Sequence, residues 1–325
     1  MPVTVEIPKE KYNGKVREIT IGATKEQGGT RAKTVTIGGE STMPFLQFEG
    51  SVPHPPVIAV EVQTRKPVDW SPVLMDAWKD VMDDPTTWAK AAEALGADLI
   101  LLKICATQAD GSPNNIANAK KVVRDVLNAT GLPLMVFGPG QAELDNEFLV
   151  PVAEETKGER IVLGVCEDKN YRTIVAAEMA NDHLVNSRTP MDVNLAKQLV
   201  ILIHDMGLPL ERIIMDPTTG ALGYGIEYGY SVMERLRLAA LQGDGMTQQP
   251  MLVTPGEEAW RVKEAKVGTD VPEMWGDWAE RAIHWETITA SALVETGANI
   301  VVMRHPEAIK RVKAQIAKLM GTMTN

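Results

Sequence analysis

Two short segments hold the groups best suited to chemistry: Leu184-Val185-Asn186-Ser187-Arg188-Thr189 and Met215-Asp216-Pro217-Thr218-Thr219-Gly220. In each, an apolar run ends in an amide or a carboxylate. Pro217 stops the second run, and Gly220, Gly223 and Gly225 permit close backbone approach. A paired amide and carboxylate suit a flat heterocycle with amide edges, such as a pterin. The same residues also have a structural use, with Asp216 capping the following turn and Asn186 tying two loops together. Spacing alone leaves both readings open. Lys103 is a third candidate. Alternation turns Ile100, Leu102 and Ile104 one way and Lys103 the other; it likewise turns Glu61 and Gln63 away from Ile58, Val60 and Val62. An inward lysine can form the Schiff base of an aldolase-type lyase. It can also pair with Glu61, and that ion pair is the expectation, because buried charges are normally paired.

Other chemistries lack their motifs. The five histidines are scattered, with no His-x-His and no His-Glu-x-x-His. There is no Gly-x-x-x-x-Gly-Lys-Ser/Thr loop, and the glycines from Gly220 to Gly229 open no dinucleotide unit. No nucleophile elbow occurs. No catalytic or metal-binding residue is therefore assigned. Two cysteines, Cys105 and Cys166, are too few for an all-thiolate [4Fe–4S] cluster, which needs four ligands. Each follows an expected strand and is read as a small buried residue, with a disulfide as the alternative. The net charge of -10 argues against nucleic acid and an anionic membrane as partners. The stretch from Met1 to Lys11 is charged and has no signal-peptide core. A cytoplasmic location is the expectation.

The elements that position these groups repeat about eight times, the number of units in a closed (β/α)8 barrel. Strands are expected at Val57–Gln63, Leu99–Ile104, Leu134–Phe137, Ile161–Val165, His183–Asn186, Arg212–Met215, Met251–Val253 and Ile300–Met303. Turns at Gly96, Gly131, Gly207 and Gly297 place glycine where a helix ends in a left-handed residue. Asp84-Pro85, Ser112-Pro113, Thr189-Pro190 and His305-Pro306 read as helix starts. Glycine-bounded Ile19-Thr20-Ile21 and Thr34-Val35-Thr36-Ile37 predict a hairpin that caps one barrel end or meets a partner. The fold class is thus α/β, a (β/α)8 TIM barrel over 57–325 with an N-terminal β-hairpin extension over 1–56. The longest break, from Thr254 to Trp275, reads either as helical decoration or as a loop whose tryptophans anchor a partner or close over a ligand.

With the barrel and both rim segments in hand, the chain resembles the small subunits of the corrinoid/iron–sulfur proteins of the reductive acetyl-CoA pathway, the delta-type subunits of acetyl-CoA decarbonylase/synthase. The likeness spans the chain and includes Pro53-His54-Pro55-Pro56-Val57-Ile58-Ala59-Val60-Glu61-Val62, Val136-Phe137-Gly138-Pro139-Gly140 and Met215 to Gly220. The resemblance implies a non-catalytic subunit of a heterodimer. Its large subunit holds the [4Fe–4S] cluster and most of a cobalamin-type corrinoid, and the barrel rim covers the cobalt face. It also implies transient partners: a methyltetrahydrofolate methyltransferase that donates the methyl group and an acetyl-CoA synthase that accepts it. Asn186, Thr189, Asp216, Thr219, Gly220 and Tyr224 are the corrin-facing residues expected on that basis. The Asp-x-His-x-x-Gly signature of corrinoid modules is absent, since Leu202 stands where Asp would precede His204 and Gly207.

More distantly, the barrel is similar to pterin-binding methyltransferases and dihydropteroate synthases. Their strand-five Asn and strand-six Asp-Pro match Asn186-Ser187 and Asp216-Pro217. The acidic or amide group they offer after strand three is replaced by Phe137-Gly138-Pro139-Gly140, with Glu167-Asp168 as a substitute one strand on. The alternative function is an autonomous pterin-dependent methyltransferase using Asn186 and Asp216.

Overall fold

The structure, a computed structural model, describes residues 7–321. Residues 1–6 and 322–325, the outer ends of the two expected domains and part of the charged N-terminal stretch, lie outside the described residues.

An antiparallel hairpin, β1 (Ile19–Ile21) and β2 (Val35–Ile37), precedes the barrel. The barrel strands are β3 (Val57–Gln63), β4 (Leu99–Lys103), β5 (Leu134–Phe137), β6 (Val162–Cys166), β7 (Leu184–Arg188), β8 (Ile213–Asp216), β9 (Met251–Val253) and β10 (Ala298–Met303). They close in the order β10-β3-β4-β5-β6-β7-β8-β9, every pair parallel. Every boundary lies within two residues of the expected one. A helix returns the chain after each strand: Pro85–Leu95, Ile116–Ala129, Ala142–Glu155, Tyr171–Asn181, Val193–Asp205, Ile226–Leu241, Trp278–Glu295 and Pro306–Leu319.

Alternation sorts the apolar residues into two cores. Ile58, Val60, Val62, Ile100, Leu102, Val185, Ile213 and Met215 face the helices. Val57, Ala59, Leu99, Leu101, Leu184, Ile214, Leu252, Ile300 and Val302 fill the barrel. Hairpin residues Ile19, Ile21, Val35 and Ile37 belong to that inner core. The extension therefore seals the amino end of the barrel. Each of these buried aliphatic side chains contributes roughly 1.5–3 kcal/mol that an open end would forfeit.

Some local expectations change. Asp84 and His305 cap their helices as expected, accepting from Thr87 N at 3.0 Å and Glu307 N at 3.1 Å. Ser112 and Thr189 do not. The caps there are Asn115 and Asp192, whose side chains accept from Asn118 N and Leu195 N, so both loops run on past their prolines. Gly96, Gly207 and Gly297 are left-handed, but Gly131 is not. Gly131 is needed for space instead: a Cβ there would lie 2.7 Å from Ala32 Cβ, where the extension docks.

The break after β9 is helical decoration, with short helices at Pro255–Ala259 and Lys263–Lys266. Trp260 is buried, donates Nε1–H to Glu286 Oε2 at 2.7 Å and stacks on His305 at 5.7 Å. Trp275 lies beneath the Arg281 guanidinium. Both tryptophans thus hold the insert to the barrel.

Candidate functional site at the carboxyl rim

The inward rows end in polar residues at the carboxyl rim. Glu61 and Gln63 come from β3, Lys103 from β4, Asn186 and Arg188 from β7, and Asp216 from β8; Arg304 follows β10. Burial forces these charges to pair. Arg304 donates through Nε and Nη2 to Glu61 at 2.7 and 2.9 Å and lies 4.8 Å above the Trp70 ring. The expected Lys103–Glu61 pair does not form. Arg304 wins Glu61 because its fork matches a carboxylate with two parallel donors. Lys103 turns to Glu257 at 3.1 Å, a residue of the insert that folds over the barrel mouth, and Arg261 joins the same carboxylate. Burial would raise the Glu257 carboxyl, but the Lys103, Arg304 and Arg261 cations hold it down at about 2. Lys103 is thereby fixed in an ion pair, not held as the activated amine a Schiff-base lysine requires.

Asn186 and Asp216 do come together. Register sets Arg188 opposite Asp216 across the β7–β8 ladder. Arg188 Nε donates to Asp216 Oδ2 at 2.9 Å, Asn186 Nδ2 donates to the same oxygen at 3.4 Å, and Thr218 N donates to Oδ1 at 3.0 Å. The Asp216 carboxylate in turn raises the Arg188 guanidinium above its ordinary range. Both Asn186 and Asp216 are fully buried, at 0% exposure, and Arg188 lies over them. Asn186 Oδ1, Ser187 Oγ and Thr189 Oγ1 are buried and have no hydrogen-bond partner among the described residues. Buried polar atoms are nearly always paired, so three on consecutive inner-rim residues mark a place prepared for other donors.

The remaining expected residues surround this cluster. Thr189 N donates to Asp216 O at 3.0 Å, and Thr218 Oγ1 donates to Thr189 O at 2.6 Å. Thr219 Oγ1 accepts from Thr254 N at 2.8 Å, stitching the β8 turn to β9. Gly220 has room for nothing larger, since a Cβ would lie 2.4 Å from Gly225 O. Tyr224 stands apart at 52% exposure, donating its hydroxyl to Glu264 at 3.1 Å. At the β5 loop no acidic group faces the rim. Asp145 is buried behind Gly138 and accepts from Gly140 N at 2.8 Å. Glu167 and Asp168 line a cavity outside the barrel mouth. Both cysteines are free thiols, Cys105 half-buried and Cys166 fully buried. Burial pushes both thiols up, away from nucleophilic reactivity.

Two of the rim cavities share a wall. The outer one, of about 620 Å³, runs along Thr189, Pro190, Leu195, Leu199 and Leu202. The mouth cavity, of about 340 Å³, runs along Lys103, Phe137, Val165, Thr219 and Glu257. Arg188 and Thr218 line both. Sequence reasoning quoted Arg188 without weighing it. Period-two alternation from Leu184 through Asn186 would have turned it inward, beside Asp216.

Comparison with known proteins follows this geometry. A family model described as CO dehydrogenase/acetyl-CoA synthase delta subunit matches residues 18–317. The acetyl-CoA decarbonylase/synthase complex subunit delta of Archaeoglobus fulgidus is 38% identical over 324 residues, covering 97% of this chain and 71% of that one. Its counterpart from Methanopyrus kandleri is 37% identical, covering 92% of this chain and 74% of that one. Among solved structures, the dihydropteroate synthase of Coxiella burnetii superimposes with a TM-score of 0.54 at 14% identity, covering 86% of this chain and all of that one. That of Burkholderia cenocepacia gives 0.52, also at 14% identity, covering 84% and 95%. These structures share the fold, and at such identity the likeness extends no further.

Proposed function

The chain belongs to the CO dehydrogenase/acetyl-CoA synthase delta subunit family, and we propose that it acts as a non-catalytic subunit whose barrel rim covers a cobalt corrinoid held by a larger iron–sulfur subunit. The observation that carries this reading is the outer rim cavity with unpartnered polar atoms at its edge. A corrin presents a broad apolar face fringed by carboxamides. The wall of Pro190, Leu195, Leu199 and Leu202 suits such a face. The open acceptors Thr189 Oγ1 and Asn186 Oδ1 suit amide N–H groups. The residues present therefore fit the group.

When bound, the cobalt supplies the carrier for a methyl group. The chain's own residues supply surroundings. Thr189, Thr219 and the backbone of the Gly220 turn line the near side, and the exposed Tyr224 ring borders it. Asn186 and Asp216 hold Arg188 and the turn in place beneath. The apolar wall excludes water from a reactive centre, and the rim must part from it to admit donor and acceptor. In this reading the methyl group comes from methyltetrahydrofolate through a separate methyltransferase and goes to acetyl-CoA synthase. The [4Fe–4S] cluster sits on the larger subunit. The family name requires protein partners, and no helix among the described residues is long and apolar enough to cross a membrane.

The test is anaerobic affinity purification of the chain from its native host. A corrin absorption spectrum with an iron–sulfur shoulder and one larger co-purifying chain is expected. A colourless chain without a partner contradicts the reading. The alternative, pterin chemistry on Asn186 and Asp216, meets an obstacle in the molecule itself, since Asp216 already accepts from Arg188, Asn186 and Thr218.

A further inference from the structure

The Asp216 carboxylate is a fully buried acceptor at the rim, and the chain fills it from within. A guanidinium and the amidine edge of a 2-amino-4-oxopyrimidine ring offer a carboxylate the same thing: coplanar N–H groups. We propose that the Arg188 side chain is a displaceable plug seated in a binding site for a flat heterocycle of that class, and that withdrawing the plug opens the site.

Arg188 is loosely held for a guanidinium so enclosed. Its hydrogen bond within the described residues is the one from Nε to Asp216, and its side chain keeps 26% exposure. It forms the partition between the outer and mouth cavities, so its departure joins them. An acceptor already waits beside Asp216: Asn186 Oδ1 is fully buried and has no donor, and the N–H groups of an incoming ring would supply one. Phe137 and Val165 on the mouth wall give the ring apolar surface to lie against. The displaced guanidinium also has somewhere to go. Glu167 on the outer wall and Glu257 on the mouth wall both act on Arg188 through their charge in the closed state. A swing toward either exchanges one carboxylate for another and leaves no cation stranded.

This inference stands apart from the corrinoid reading. It is tested by ring binding to the chain alone, whereas the corrinoid reading is tested by the purified complex. The full chain and its Arg188→Ala variant are titrated with pterin and with lumazine, a pteridine carrying an oxo group where pterin carries its amino group. Ring fluorescence reports binding. Arg188→Ala is expected to bind pterin at least about tenfold more tightly than the wild type does, the scale of one charge-assisted hydrogen bond. It should prefer pterin to lumazine by a similar factor, and adding Asp216→Asn should erase that preference. Equal pterin affinity of wild type and variant overturns the proposal, and so does equal affinity of the variant for the two rings. If Arg188→Ala does not fold, Arg188→Gln keeps the bulk and drops the charge. A gain in pterin affinity over lumazine is expected there too, and its absence counts equally against the plug.

Discussion

Arg31 and Arg188 each meet a buried carboxylate near 3 Å, one at each end of the barrel. At the sealed amino end, Arg31 donates through Nε to Glu159, through Nη1 to Thr130 O and Leu132 O, and through Nη2 to Leu127 O and Thr30 Oγ1. Each guanidinium nitrogen is used, and the side chain is 1% exposed. At the carboxyl rim, Arg188 makes one hydrogen bond and separates two cavities. The ion pairs look alike, yet the saturation around them differs. A guanidinium whose donors are all met by one rigid shell is a lock. One that is met on a single side, with other carboxylates within electrostatic reach, is poised to move.

Breaking the lock should cost most. Arg31→Ala strands Glu159 in the interior and is expected to lower unfolding stability by about 3–5 kcal/mol in urea, with no change in ring binding at the rim. A loss below about 1 kcal/mol would dissolve the contrast. Arg188→Ala comes next, at roughly 1–3 kcal/mol, because water can reach the carboxylate it leaves. Asp216→Asn in the same chain should recover part of that loss, read as a coupling energy in a double-mutant cycle.

A pH effect sharpens the amino-end side of the comparison. His183 lies buried just before β7, its Nε2 within 2.9 Å of Ala153 O, and burial lowers it to about 4. Its folded value lies below the ordinary 6.5. Its contribution to stability is therefore complete above pH 6.5 and drains away as pH falls toward 4, at up to about 1.4 kcal/mol per pH unit. His183→Gln should flatten that stretch of the stability curve and leave the rim unaltered. The smallest effect belongs to Tyr224→Phe, which removes an exposed contact with Glu264. Its stability should change by less than about 0.5 kcal/mol in thermal melts.

Much of this fold was legible in the sequence because the signals were local. Apolar runs of four to seven residues between glycine turns located each barrel strand, and period two assigned Ile58, Val60 and Val62 outward and Glu61 inward. Lys103 was correctly turned inward but given the wrong partner. Its true partner, Glu257, lies 154 positions away in an insert whose path over the mouth no local pattern encodes. Arg304 took Glu61 across 243 positions for the same reason. Asn186 and Asp216 were found because each ends an apolar run. The residue that closes them off, Arg188, was legible in principle from the same alternation. Its pairing with Asp216 depends on the β7–β8 register, which closure of the barrel sets. The helix starts at Ser112 and Thr189 failed because proline marks where a helix can begin, while the side chains that cap the first turn, Asn115 and Asp192, decide where it does.

The central claim is that the carboxyl rim, and not the sealed end, meets the partner and its cofactor. Hydrogen exchange of the isolated chain against the natively purified complex tests it most directly. The account predicts slowed amide exchange in residues 186–190 and 216–225 of the complex, with the hairpin at 19–37 unchanged. Slowing confined to the hairpin, with the rim exchanging as freely as in the isolated chain, would contradict it.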